Sequence, residues 1–214
     1  MKILAISDEV VPHIYSERIR ALYDDVDLVI GCGDVPFYYL EYVVSMLHAP
    51  LFYVHGNHDH EKQYMADGRV ATSAEVCVCI DDEVSSLDGL TVNKGGLLLA
   101  GLGGSIRYRP GKHQYTNNQM RRRIIRLLPN LLLNHLRFGR FLDILITHAP
   151  PLGIHDKPDR AHVGFQVFND FMQRFRPRYL LHGHSHVVRN NAATRAEYLS
   201  TEVVNVYPYC LIEF

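Results

Sequence analysis

Residues 51–59 read LFYVHGNHD. Four apolar or aromatic residues run straight into a glycine set among two histidines, an asparagine and an aspartate. A short unbroken apolar run reads as a strand covered on both faces, since a strand with one wet face would alternate. The polar residues that follow are turn formers, and a turn alone explains any one of them. Recurrence decides between a turn and a site, and the pattern recurs along the chain. KILAI (2–6) precedes Ser7-Asp8, and DLVI (27–30) leads into GCGD, which ends at Asp34. DILI (143–146) leads into Thr147-His148, and RYLL (178–181) leads into HGHSH at 182–186.

The intervening segments predict helices near Tyr15–Tyr23 and Pro36–Leu47, giving a β-α-β-α-β start with right-handed crossovers. A further helix is expected within Asn117–Leu128 and another near Gly164–Arg176. Glu75–Leu102 and Arg195–Phe214 hold short alternating or β-branched runs with turns such as Asp88-Gly89, and read as mostly antiparallel strands. No repeat or linker divides the chain, so residues 1–214 are read as a single domain. In α/β architectures ligands bind beyond the carboxyl ends of strands. Five strands ending in Asp, Asn or His therefore point to a metal site assembled by the fold.

Composition narrows the class. The chain has 214 residues, 47% hydrophobic and 21% charged, as in ordinary soluble proteins. A net charge of −1 offers no general attraction for nucleic acid or anionic membrane. Arg121, Arg122 and Arg123 read as the solvated face of a helix rather than a nucleic-acid patch. No apolar run approaches the roughly 20 residues that span a bilayer, and MKILAISDEV lacks the features of a signal peptide. Cys32, Cys77, Cys79 and Cys210 show no CxxC spacing, which suits reduced thiols in a cytoplasmic protein. The 13 histidines are above ordinary usage and invite a metal.

The ligand types narrow the metal. Carboxylate, imidazole and amide oxygen without thiolate suit Mn²⁺, Fe or Zn²⁺ rather than a structural cysteine-rich zinc. An aspartate able to bridge two ions, flanked by histidines, suits a two-metal centre about 3.5–4 Å across that binds phosphate oxygens.

In order and spacing, Ser7-Asp8, Gly33-Asp34, GNHD (56–59), Thr147-His148 and GHSH (183–186) resemble the calcineurin-like metallophosphoesterase family. GNHD with GHxH carries most of the resemblance, which spans Asp8 to His186. It implies a four-layer α/β/β/α sandwich with two mixed β-sheets. It also implies a hydrolase cleaving a phosphomonoester or phosphodiester by attack of a hydroxide held on two divalent ions (Mn, Fe, Zn or Ni). Asp34 would bridge them. Asp8 and His186 would complete the first position; Asn57, His148 and His184 the second. His58 would protonate the leaving oxygen, with Asp59 orienting it or capping its own turn. His55, His60, His182 and His48 match no functional position of the family and read as structural.

One departure stands out. The family's first motif is Asp-x-His, whereas this chain reads Asp8-Glu9-Val10, leaving no imidazole at position 10. On an extended chain Glu9 would point away from Asp8, and His13 lies beyond Pro12. The first position is therefore expected to be the weaker. Arg107, in GLGGSIRY (101–108), is a candidate for holding phosphate. Asp156 and His162, in the proline-rich loop after His148, are candidates for lining the pocket. The alternative to an enzyme is a protein-binding scaffold on the same fold. Against it, seven of eight matched positions, His58 included, are kept. A small phosphoester is the expected partner, nucleic acid and membrane are not, and homo-oligomerisation is left open.

Overall fold

The chain is described by a computed structural model covering residues 1–59, 62–64, 70–72, 84–186 and 194–214. In β1 (Lys2–Ile6), Leu4 and Ile6 face one side and Ile3 and Ala5 the other. This follows from the two-residue period of a strand. Both sets are buried, so both faces must be covered, and each sheet repeats that logic.

The first sheet adds β2 (Leu28–Gly31), β3 (Leu51–Tyr53), β6 (Val84–Ser86) and β15 (Tyr209–Glu213), in the order β15-β1-β2-β3-β6. Between β3 and β6, β4 (Lys62–Tyr64) and β5 (Val70–Thr72) form an antiparallel pair of their own. The second sheet begins with β7 (Thr91–Lys94) and β8 (Leu97–Leu102). It continues with β11 (Ile144–Thr147), β12 (Tyr179–His182), β13 (Arg195–Tyr198) and β14 (Thr201–Asn205), in the order β13-β14-β12-β11-β8-β7. A short parallel pair, β9 (Ser105–Ile106) with β10 (Gln114–Tyr115), follows β8.

Three apolar layers hold this together. Leu4, Ile6 and Leu51 pack beneath α1 (Arg18–Tyr23) and α2 (Phe37–Leu47). Leu98, Ala100 and Leu145 pack beneath α3 (Asn117–Phe138) and α4 (Gln166–Phe175). Ile3, Ala5, Leu99, Ile144 and Val204 fill the space between the sheets. The result is the expected α/β/β/α sandwich. Among the described residues no helix is long and apolar enough to cross a membrane.

Three expectations need correction. The tail and middle strands are mixed rather than mostly antiparallel: β6, β8 and β14 run parallel to β3, β11 and β12, while β7, β13 and β15 run antiparallel to their neighbours. All six residues of β8 are buried, as befits a central strand covered on both faces. The helix expected in Asn117–Leu128 continues to Phe138, because Leu131 extends the buried face of Leu127 by one turn. Pro129 lies on the exposed side, where a carbonyl left without its helical partner can be hydrated. Finally, α1 starts at Arg18, because residues 11–16 form a turn in which Ile14 and Tyr15 donate to the Val11 carbonyl. Cys32 and Cys210 are free. His60, Cys77 and Cys79 lie outside the described residues.

Candidate metal centre

The two sheets meet at the carboxyl ends of β1, β2, β11 and β12. Asp8 N–H donates to the Gly33 carbonyl at 3.1 Å within the first sheet, Gly183 N–H to that of His148 at 3.0 Å within the second, and His184 N–H to Asp8 Oδ2 at 2.9 Å between them. Asp8, Asp34 and His184 all have left-handed backbones, with φ of 63°, 55° and 63°. For residues with a Cβ this costs on the order of 1–3 kcal/mol each, and such strain collects at functional sites. Two glycines make the crowding feasible. A Cβ at Gly56 would lie 2.0 Å from Asp34 Oδ1, and one at Gly183 would lie 2.4 Å from Asp8 Oδ2.

The second position is fixed by tautomer. His148 Nδ1 donates to the Cys32 carbonyl at 2.8 Å, which leaves Nε2 with a lone pair. That lone pair lies 3.0 Å from Asn57 Oδ1 and 3.3 Å from Asp34 Oδ2. The Asn57 amide nitrogen faces the Tyr108 hydroxyl at 3.5 Å. Three acceptors thus converge with no donor among them, an arrangement answered by a cation or by a second proton on His148. His184 Nε2 donates to the Ala161 carbonyl at 2.7 Å, leaving Nδ1 as its donor atom. Asp34, His148 and His184 offer ligand atoms within 4.8 Å of one another. The residues present fit a divalent ion here.

The electrostatics agree. Burial opposes charge on His148, yet the Asp34 carboxylate beside it raises its pKa to about 9. Burial also opposes charge on Asp34, but His148 and the His58 amide hold it well below the usual carboxylate range. Burial, reinforced by His148, depresses His184 to about 3.

The first position is looser. His186 Nε2 is 3.4 Å from Asp8 Oδ1, while Asp8 Oδ2 accepts the His184 N–H at 2.9 Å. The His186 ring stacks on Tyr207 with centroids 4.5 Å apart, and the Tyr207 hydroxyl donates to Glu9 Oε2 at 2.9 Å. Position 10 is not a gap in a ring of ligands, since Val10 packs against the apolar layer under α1 and α2. Glu9 supplies no substitute ligand, though not for the reason expected. The expectation assumed an extended chain, and the left-handed turn at Asp8 swings Glu9 round to Tyr207. His13 lies instead beside Tyr23 and Tyr209.

His58 donates its backbone N–H to Asp34 Oδ1 at 2.8 Å and is an exposed residue. Asp59 accepts the N–H groups of Asp34 and Gly56 on Oδ2, at 2.9 and 2.8 Å. It thereby holds the backbone on which Asp34 stands. Burial and the charge of Asp34 push its pKa up. His162 reaches the site, its ring 5.1 Å from that of His184 and its Nδ1 2.9 Å from Asp159 Oδ1. Asp156 accepts the Gly164 N–H at 3.0 Å, which shapes the loop. The Arg107 guanidinium binds the Gln114 carbonyl through Nε and Nη2 at 3.3 and 3.2 Å. Arg107, Tyr108, Arg109, Pro110 and Gly111 line an open hollow of about 490 Å³.

Sequence reasoning missed the Cys32 and Ala161 carbonyls, Tyr108 and Tyr207. Carbonyls carry no residue signature. Tyr108 adjoins Arg107 and was within reach of the same argument.

The chain belongs to the calcineurin-like phosphoesterase family, whose model matches residues 1–188. A search of curated proteins finds no match. One solved structure superposes with a TM-score of 0.68 at 15% identity, over 99% of this chain and 94% of that one. TT1561 of Thermus thermophilus superposes at 0.64 and 17% identity, over 96% and 88% of the two chains. A hypothetical protein from the same organism gives 0.53 at 17%, over 96% and 75%. These likenesses establish the fold. The family implies a metal-dependent phosphoesterase and divalent ions.

Proposed function

We propose that this protein hydrolyses a small phosphomonoester or phosphodiester with two divalent ions. Asp34, Asn57, His148 and His184 would hold one ion; Asp8 and His186, with Asp34, would hold the other. The reading is supported by the convergence of His148 Nε2, Asn57 Oδ1 and Asp34 Oδ2, an arrangement that a cation would satisfy and that a second proton on His148 satisfies without one. When bound, the ions polarise phosphate oxygens and lower the pKa of water.

The chain's own groups do the rest. Cys32 and Ala161 hold the His148 and His184 tautomers, and Asp59 keeps the Asp34 loop in shape. His58, exposed next to Asn57, delivers a proton to the leaving oxygen. His162, its ring 5.1 Å from that of His184, would meet a second substituent on phosphorus.

The test is hydrolysis of an aryl phosphomonoester and an aryl phosphodiester by purified protein with Mn²⁺, Fe²⁺, Co²⁺, Ni²⁺ or Zn²⁺. Turnover that a chelator stops and added metal restores is the expected result. No turnover with any ion would favour a binding scaffold instead.

A further inference from the structure

A second group of ligand-type side chains stands apart from the strand-end set. His55 and His113 lie face to face, with ring centroids 4.8 Å apart and planes within 3°. Asp88 completes the group, and the three residues offer ligand atoms within 4.8 Å of one another. We propose that His55, Asp88 and His113 form a further metal site, taking zinc or a similar late first-row divalent ion.

Three observations carry it. Both ring nitrogens of His113 are buried without a hydrogen-bond partner. A neutral imidazole has one donor and one acceptor to satisfy, so ring nitrogens shut off from solvent without a partner need a reason. His113 also has a left-handed backbone, φ 52°, which places a residue with a Cβ in a costly conformation. The third is Asp88. Its hydrogen bonds from Gly103 N–H and from the Arg123 guanidinium both fall on Oδ1, which leaves Oδ2 for a ligand. Arg123 is itself fixed, donating to the Gly103 carbonyl at 2.7 Å and lying 4.4 Å over the Tyr115 ring. It orients the carboxylate from behind, as partners of metal ligands do.

Two imidazoles and one carboxylate without thiolate suit zinc and its neighbours more than Mg²⁺ or Ca²⁺, which want oxygen. Zinc–nitrogen distances of about 2.0–2.1 Å require the donor atoms to draw together by small ring rotations. The site would join three segments: the loop before Asn57, the turn after β6, and the loop from Arg107 to His113. Gly104 N–H already donates to the His55 carbonyl at 2.7 Å, and Ser105 N–H to that of His113 at 2.9 Å. An ion would lock that junction and hold Tyr108 against Asn57. This is independent of whether the protein is a phosphoesterase.

The experiment measures zinc content of the full-length protein after chelation, reloading with zinc and dialysis. His113→Gln and His55→Gln should each hold one equivalent less than the wild type, while Asp34→Asn keeps that equivalent. Ring ¹⁵N resonances of His55 and His113 should shift on adding zinc to Asp34→Asn, and this reading needs neither glutamine variant to fold. Equal zinc in wild type and both variants, or unmoved resonances, would overturn the proposal.

Discussion

At the second metal position each imidazole is buried and has one ring nitrogen tied to a backbone carbonyl, His148 to Cys32 and His184 to Ala161. At the first, His186 is 58% exposed in its side chain and rests on a stacked tyrosine. The two proposed positions would share a sheet end and Asp34, yet the side chains of one are tied in place before any ion arrives and those of the other are not. Preorganisation of this kind sets affinity, because less motion is frozen when the ligand binds. The second position should therefore fill first and the first should need more metal.

The largest test removes what the two positions share. Asp34→Asn should abolish measurable hydrolysis and empty both positions in metal analysis. Retention of an ion at Asn57, His148 and His184 would make the second position self-sufficient and the contrast sharper still. His58→Ala should leave both ions bound and lower kcat by roughly 10²–10⁴, the usual contribution of a general acid. If metal were lost with it, His58 would belong to the ligand set instead.

Tyr207→Ala bears on the first position alone. Without the ring beneath it, His186 should be looser and the first ion bound about 10–100-fold more weakly, the usual cost of losing a ligand's supporting partner. A Mn²⁺ titration of activity would read this as a higher half-saturating concentration. An unchanged curve would mean that the stack contributes nothing. The smallest expected effect is that of Val10→His. Since Val10 packs into the apolar layer, a histidine there should leave the Mn²⁺ requirement unchanged. A lowered requirement would mean that the loop after Asp8 rearranges to bring the new imidazole to the ion.

Much of this was legible in the chain. Apolar runs ending in Asp8, Asp34, Asn57, His148 and His184 announced buried strands and a shared ligand end, because burial on both faces leaves a composition signature. The motifs then named the candidate ligands. Strand direction was not legible: β8 and β14 could have been edge hairpins, and only their partners decided otherwise.

The sequence by itself determined which side chains can bind a metal, since donor chemistry belongs to the residue. Tertiary structure alone decided which nitrogen of His148 faces Asn57 and Asp34, because the Cys32 carbonyl that takes the other lies 116 residues away in the chain. It also decided that Glu9 turns toward Tyr207 and Val10 into the core, through one left-handed residue that alternation cannot foresee. Backbone carbonyls and positive φ angles select tautomer and direction, and neither is written in the identity of the residue that supplies it.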